Sequence, residues 1–146
     1  NLELLETEGN TFWKVARELN LEENMKATGK NISLQGELIG EGIQGNPYKI
    51  KGQTVRFFTG FDIDKYQRIS FPDLVVMLSD MGLQYVPILN QELGFVLPET
   101  VEDMLKYAEA KSVLNDKTER EGVVVRSMDG TISFKAISNK FLLNEK

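Results

Sequence analysis

Glu121-Gly122-Val123-Val124-Val125-Arg126 and, after a short break, Thr131-Ile132-Ser133-Phe134-Lys135-Ala136-Ile137 are the two runs whose reading decides the fold. Both are rich in β-branched and aromatic residues, and the intervening Met128-Asp129-Gly130 carries the Asp-Gly pair that favours a tight reversal. The spacing predicts an antiparallel hairpin. In the second run Ile132, Phe134 and Ala136 alternate with Thr131, Ser133 and Lys135, which sends the lysine out on the face opposite the core. A three-residue loop with Gly130 left-handed pairs Val123 with Lys135 and Glu121 with Ile137, putting Glu121 and Lys135 on one face, whereas a two-residue Asp129-Gly130 loop parts them. The three-residue loop is the expectation.

Working outward, Ile32, Leu34 and Leu38 alternate with Ser33, Gln35 and Glu37, the pattern of a half-buried strand. Gly36 to Pro47 holds Gly36, Gly40, Gly42 and Gly45, which reads as a tight loop. Val55 to Asp64 reads as a longer strand with Tyr66 to Ile69 as its short partner. Ser70 with Asp73 three residues on, and Pro72 in the first turn, open a helix that buries Leu74, Val75 and Leu78 and stops at Gly82. Asn10-Thr11 starts another, with Phe12, Val15, Ala16 and Leu19 in its stripe, running to about Asn20. Val86 to Leu89 is expected as a short strand, and Glu99 to Leu114 as a helix burying Val101, Met104, Leu105 and Ala108. Strands and helices interleave without a regular βαβ period, so the class is α+β, with antiparallel or mixed sheets and packed helices in one domain over residues 1–146.

Composition narrows the chemistry. The 146 residues hold no cysteine and no histidine, which excludes thiol nucleophiles, Ser-His-Asp triads, and thiolate or imidazole metal sites. Catalysis would have to use carboxylates, lysines, hydroxyls and hard cations. Seventeen basic against twenty-two acidic residues give a net charge of −5, which argues against holding a polyanion by bulk charge. A local groove of Arg56, Arg126, Lys135 and Lys140 is the way such a chain could meet phosphates. No apolar run approaches the ~20 residues of a membrane span, and no signal-like N-terminus is visible, so the cytoplasm is the expected location.

Glu37 ends a strand just before the glycine-rich segment, where a carboxylate can accept from a ligand hydroxyl or simply face water. That segment lacks the Gly-Lys-Ser/Thr ending of a phosphate-binding loop and no helix signal follows it, so neither a P-loop nor a Rossmann turn is expected. Phe61 either packs with Val55, Phe57 and Ile63 or offers a base-stacking ring beside Gly60, and composition leaves both open.

In chain order, Leu34-Gln35-Gly36-Glu37-Leu38-Ile39-Gly40, Phe58-Thr59-Gly60-Phe61-Asp62-Ile63, Glu121-Gly122-Val123-Val124-Val125-Arg126 and Ser133-Phe134-Lys135-Ala136-Ile137-Ser138-Asn139-Lys140-Phe141 resemble the adenylation motifs of ATP-dependent RNA ligases, most closely the nick-sealing phage and bacterial type. The resemblance implies part of a nucleotidyltransferase domain, the ATP-grasp-like adenylation fold of ligases. It also implies ATP and Mg2+ or Mn2+ as cofactors, and RNA, as nicked duplex or RNA ends, as the partner. By the same resemblance Glu37 contacts the ribose, Phe61 stacks on adenine, Asp62 supports that pocket, Glu121 holds the divalent metal, and Lys135 contacts the nucleotide phosphate. Two features depart from the family. The Lys-x-Asp-Gly tetrapeptide that carries AMP is absent, since Ser127-Met128-Asp129-Gly130 has no lysine, and Ile137 stands where a second lysine is common, with Lys140 the nearest substitute. Because Asn1-Leu2-Glu3 resembles the sequence just after the arginine that follows the nucleophile in the family, the expectation is that the nucleophile belongs to a preceding segment of the same protein, and that these residues alone form no enzyme-AMP. A non-catalytic nucleotide- or nucleic-acid-binding module and a purely structural domain remain as alternatives.

Overall fold

The alternation in residues 32–38 produces β1 (Ile32–Gly40), which runs slightly further than expected and lies antiparallel to β2 (Gln53–Asp62), from Ile32 opposite Asp62 to Gly40 opposite Gln53. In the computed structural model, which describes residues 3–90 and 94–144, β3 (Gln67–Arg68) turns back antiparallel on β2. β4 (Gln84–Tyr85) joins β2 in parallel and completes a mixed four-stranded sheet. β5 (Gly122–Arg126) and β6 (Ser133–Ile137) form a separate antiparallel pair. The α+β class with antiparallel and mixed sheets is therefore observed. The Asn1-Leu2 part of the N-terminal resemblance lies outside the described residues.

Each helix has an identifiable start and stop. α1 (Thr11–Glu18) is capped by the Asn10 side chain, which accepts from the Phe12 and Trp13 N–H groups at 3.0 and 3.3 Å. Its stripe buries Val15 but leaves Phe12 60% exposed. At Asn20 the chain turns left-handed, φ 51°, and enters α2 (Leu21–Ala27), a short helix with no buried residue and therefore no stripe to read. α3 (Phe71–Asp80) starts as the pattern predicts, with the Ser70 hydroxyl accepting from the Asp73 N–H, and Gly82 follows at φ 68°. Leu74 and Leu78 of α3 pack with Phe57 and Leu83 against the face of β1 and β2 opposite Glu37. A second, smaller core joins Met104 and Ala108 of α4 (Val101–Ala108) to Val123 and Ala136.

Several expectations are corrected. The helix expected to reach Leu114 ends at Ala108, because the Arg120 guanidinium donates to the carbonyls of Tyr107 and Ala108 that another helical turn would use. Val101, expected in its stripe, is 78% exposed. The strand expected at Val86 to Leu89 is displaced to Gln84–Tyr85; Val86 gives its N–H to the Phe57 carbonyl at 2.8 Å and the chain then leaves the sheet. Gly36 is a strand residue rather than a loop residue, and a Cβ on it would lie 2.6 Å from the Val55 side chain. α5 (Asn139–Asn144), which had no clear signal, is started by buried Ser138, whose hydroxyl accepts from the Phe141 N–H at 3.3 Å.

The β5–β6 hairpin also has a different register. Val124 faces Lys135 and Gly122 faces Ile137, and the Ser127 N–H donates to the Ile132 carbonyl at 2.9 Å, so the expected three-residue loop is absent and a four-residue loop from Met128 to Thr131 closes the pair. Gly130 is left-handed as expected, φ 73°, but within a turn in which it donates to the Ser127 carbonyl. Asp129 locks that turn by accepting from Ser127 Oγ and from the Thr131 N–H and hydroxyl, which holds its carboxyl down to about 2. This register gives Glu121 and Lys135 opposite parity. They nevertheless meet, because Glu121 precedes the strand and Gly122, at φ 158°, passes so close to β6 that a Cβ would sit 2.1 Å from the Ala136 carbonyl oxygen.

The two sheets are joined through an irregularity in β2. Gln35 faces Thr59 and Gly36 faces Phe57, so Phe58 is an extra residue in a β-bulge. Arg126, at the end of β5, donates to the Phe58 carbonyl at 2.5 Å and to Thr59 Oγ1 at 3.0 Å, with its guanidinium 5.6 Å from the centre of the Phe58 ring. Replacing Arg126 by Met is expected to cost about 2 kcal/mol in urea unfolding, the scale of hydrogen bonds to a charged donor. Gly122→Ala is expected to cost on the order of 2 kcal/mol or more in the same measurement, since β6 must move to admit the methyl group.

Candidate functional site

Between the two sheets lies a cavity of about 560 Å³, within the range of small-molecule sites. The bulge and Arg126 set its floor. Glu37 reaches it from β1, directly across from Arg56 on β2, and Phe58 and Thr59 line it from the bulge. Val86, Ile88 and Leu89, just past β4, make an apolar wall. Glu121 and Lys135 close the side formed by the β5–β6 hairpin, with the Lys135 ammonium donating to Glu121 Oε1. Both side chains of that ion pair are nearly half exposed, at 46% and 42%.

Tyr48, from the loop between β1 and β2, joins this group although nothing in the sequence singled it out. Burial pushes its phenol above the ordinary tyrosine range, and the negative charges of Glu121 and Glu37 push in the same direction. The Glu121 backbone N–H and the Lys135 charge oppose them. One half-buried hydroxyl is thus within electrostatic reach of Glu37, Glu121 and Lys135 together.

The remaining candidates lie elsewhere. Phe61 is opposite Ser33, two positions along the ladder from the Gln35–Thr59 pair, and so shares the cavity side of the sheet, but it lies beyond the lining. Its ring makes an edge contact with Tyr66, centroids 5.4 Å apart. The Asp62 carboxylate accepts the Lys65 N–H at 2.9 Å and so fixes the turn into β3 rather than facing the cavity. Phe58 and Tyr48 are the aromatic residues the sequence reading missed. The bulge that turns Phe58 inward has no single-residue signature, and Tyr48 was hidden in a segment legible only by its glycines.

The expected basic groove is not assembled as such. Arg56, Arg126 and Lys135 line the cavity, but Arg126 is committed to β2 and Lys135 to Glu121, and Arg56 Nε is buried with no hydrogen-bond partner among the described residues. Lys140, on α5, pairs with Glu109 at 3.4 Å and lies outside the lining. Among the described residues no cluster of three or more metal-ligating side chains occurs, and no helix is long and apolar enough to cross a membrane.

Comparison with known proteins gives the family and the fold. The family model for RNA ligase matches residues 2–140. Solved structures of Naegleria gruberi RNA ligase share the fold: a point mutant with AMP and Mn is 39% identical with a TM-score of 0.88, and another with ATP and Mn is 41% identical with a TM-score of 0.86. Each match covers 97% of this chain and 43% of that chain, so the 146 residues span less than half the length of these relatives. No curated protein matches at a significant level. Glu37, Glu121 and Lys135 are thus gathered round one cavity in a fold shared with solved RNA ligases, and the chain belongs to the RNA ligase family.

Proposed function

We propose that these residues supply most of the nucleotide pocket in the adenylation domain of an ATP-dependent RNA ligase, with the lysine that carries AMP lying outside them. The observation that supports it most directly is the convergence of Glu37, Glu121 and Lys135, remote in sequence, on one cavity. Glu37 would accept a ribose hydroxyl. The base would extend along β2 from Phe58 and Thr59 toward Phe61, whose face of the sheet is the same, with Asp62 holding the turn behind it. Lys135 would take a phosphate oxygen and Glu121 the divalent cation.

The donor set suits magnesium or manganese. Such ions are commonly held by one or two carboxylates with substrate phosphates and water, and Glu121 offers one carboxylate beside the place where phosphate would lie. When bound, the ion would neutralise charge developing on the phosphoryl oxygens. Lys135 and Glu121 now neutralise each other in a partly exposed pair, an arrangement worth ~0–1 kcal/mol, so exchanging it for phosphate and cation costs little.

In the complete enzyme the family reaction would form a bond from a neutral lysine amine to the α-phosphorus of ATP, releasing pyrophosphate and a proton. AMP would then pass to an RNA 5′-phosphate, and the neighbouring hydroxyl would displace it to form the phosphodiester. Among the lining residues the one lysine is Lys135, whose side-chain nitrogen already donates to Glu121, an arrangement that suits phosphate binding better than nucleophilic attack. This same feature favours the second reading, a nucleotide-binding module without catalysis. We assign the protein to the cytoplasm and RNA ends or nicked duplex as its substrate.

Calorimetry with ATP and Mn2+ tests the pocket. Lys135→Ala and Glu37→Ala are each expected to weaken binding about 10-fold or more, and Glu121→Ala to remove most of the gain that Mn2+ provides. Phe61→Leu should weaken binding about 10-fold; wild-type affinity in that variant, with the loss appearing in Phe58→Leu instead, would move the base to the bulge. Indifference of binding to all three charge substitutions would refute the pocket. A denaturing gel after incubation with labelled ATP and Mn2+ is expected to show no covalent band for the 146-residue chain, and a stable labelled band would overturn the exclusion of its own lysines as nucleophiles.

A further inference from the structure

Glu37 and Arg56 are directly opposite in the antiparallel β1–β2 ladder, and both line the cavity. Side chains in that relation rise from one face of a sheet with Cβ atoms about 4.5–5.5 Å apart, where opposite charges commonly pair. These two do not. Among the described residues neither the Glu37 carboxylate nor the Arg56 guanidinium has a hydrogen bond or ion pair, and Arg56 Nε is buried without an acceptor. Nε alone is so buried, which leaves the terminal nitrogens open to an incoming group. The other cations lining the cavity near this pair are already engaged, Arg126 with the Phe58 carbonyl and the Thr59 hydroxyl, Lys135 with Glu121. On the other flank of β2 the residue facing Arg56 is Gln84 of β4, which brings no charge.

An unpaired guanidinium N–H out of water is costly until an acceptor arrives, so the pair marks a place for a ligand group. A phosphate suits it poorly because Glu37 would repel the charge, and a cation would meet Arg56. A neutral hydroxyl suits both, since its oxygen accepts from the guanidinium while its proton is donated to the carboxylate. We propose that Arg56 and Glu37 together read the vicinal hydroxyls of the nucleotide ribose, which makes Arg56 a specificity-determining residue for ribose. The planar fork of the guanidinium can serve two neighbouring oxygens, which a lysine at that position could not do in the same geometry. The presence of ribose here rests on the nucleotide reading above, in which Glu37 alone is assigned to it; the part taken by Arg56 goes beyond that reading.

Calorimetry on the 146-residue chain with Mn2+ tests this by comparing ATP with 2′,3′-dideoxy-ATP. The wild type is expected to prefer ATP about 30-fold, because a site built to bond a hydroxyl rejects the analogue lacking it. Arg56→Met, which keeps the stem and drops the fork, is expected to weaken ATP about 10-fold and the dideoxy nucleotide less than about twofold, narrowing the preference about fivefold or more. Equal weakening of both nucleotides would mark a phosphate contact or a disturbed sheet and would overturn the proposal, as would unchanged ATP binding. Should Arg56→Met fail to unfold cooperatively in urea, Arg56→Lys decides: with one compact donor in place of the fork it should narrow the preference about threefold, and no narrowing would overturn the proposal. A wild type that binds both nucleotides equally would overturn the hydroxyl assignment and leave the nucleotide pocket standing, whereas a wild type that binds neither would defeat the pocket and the proposal with it.

Discussion

Arg126 donates from the last position of β5 to the Phe58 carbonyl at the β2 bulge and to the Thr59 hydroxyl, and this joins the two sheets. A two-stranded sheet is marginal by itself. The β5–β6 pair is held by the small core it shares with α4 and by Arg126, and the segment leading into it is tied to the β1–β2 loop where the Pro47 carbonyl accepts the Thr118 hydroxyl at 2.8 Å. Bulge, guanidinium and loop together keep open a space that the two apolar cores do not fill. The cavity exists because these polar contacts are satisfied between the sheets, where close apolar packing would have closed it.

Where each part was legible in the sequence follows from the range of the forces involved. The Asn10 and Ser70 caps and the alternation in β1 are local, governed by hydrogen bonds and face alternation within a few residues, and these appear where the pattern puts them. The helix expected to reach Leu114 fails for a non-local reason: its carbonyls are taken by Arg120, a residue beyond its end whose role no window of hydrophobicity contains. The hairpin register fails for a different reason. Asp129-Gly130 marks a reversal, but the side-chain bonds of Ser127, Asp129 and Thr131 choose the longer loop.

The site divides in the same way. Glu37, Glu121 and Lys135 were identifiable because their strand contexts occur in a known order, and the fold does bring them to one cavity. Phe61 and Asp62 came from the same motifs yet lie past the cavity's edge, at the end of β2 just before the turn into β3. Tyr48 and Phe58 could not be found in this way, since one owes its place to a loop anchor far along the chain and the other to a bulge whose register depends on pairing with β1. Residues placed by strand parity are legible; those placed by irregularities need the partner strand in view.

The chain is acidic, with a net charge of −5, yet several cationic side chains collect at its cavity. Lys135 rests on Glu121, Arg126 on backbone and hydroxyl oxygens, and, just outside, Lys140 on Glu109, while Arg56 Nε is buried without a hydrogen-bond partner among the described residues. These are different kinds of restraint. Arg126 serves a half-buried carbonyl between the sheets, and removing it from that post would loosen their junction, so it acts as structure even at the edge of the site. Lys135 is paired in a half-exposed position where water screens the attraction, so its ammonium can change partner at small cost. The same positive charge, placed at two depths, thus holds the frame in one case and remains available for exchange in the other.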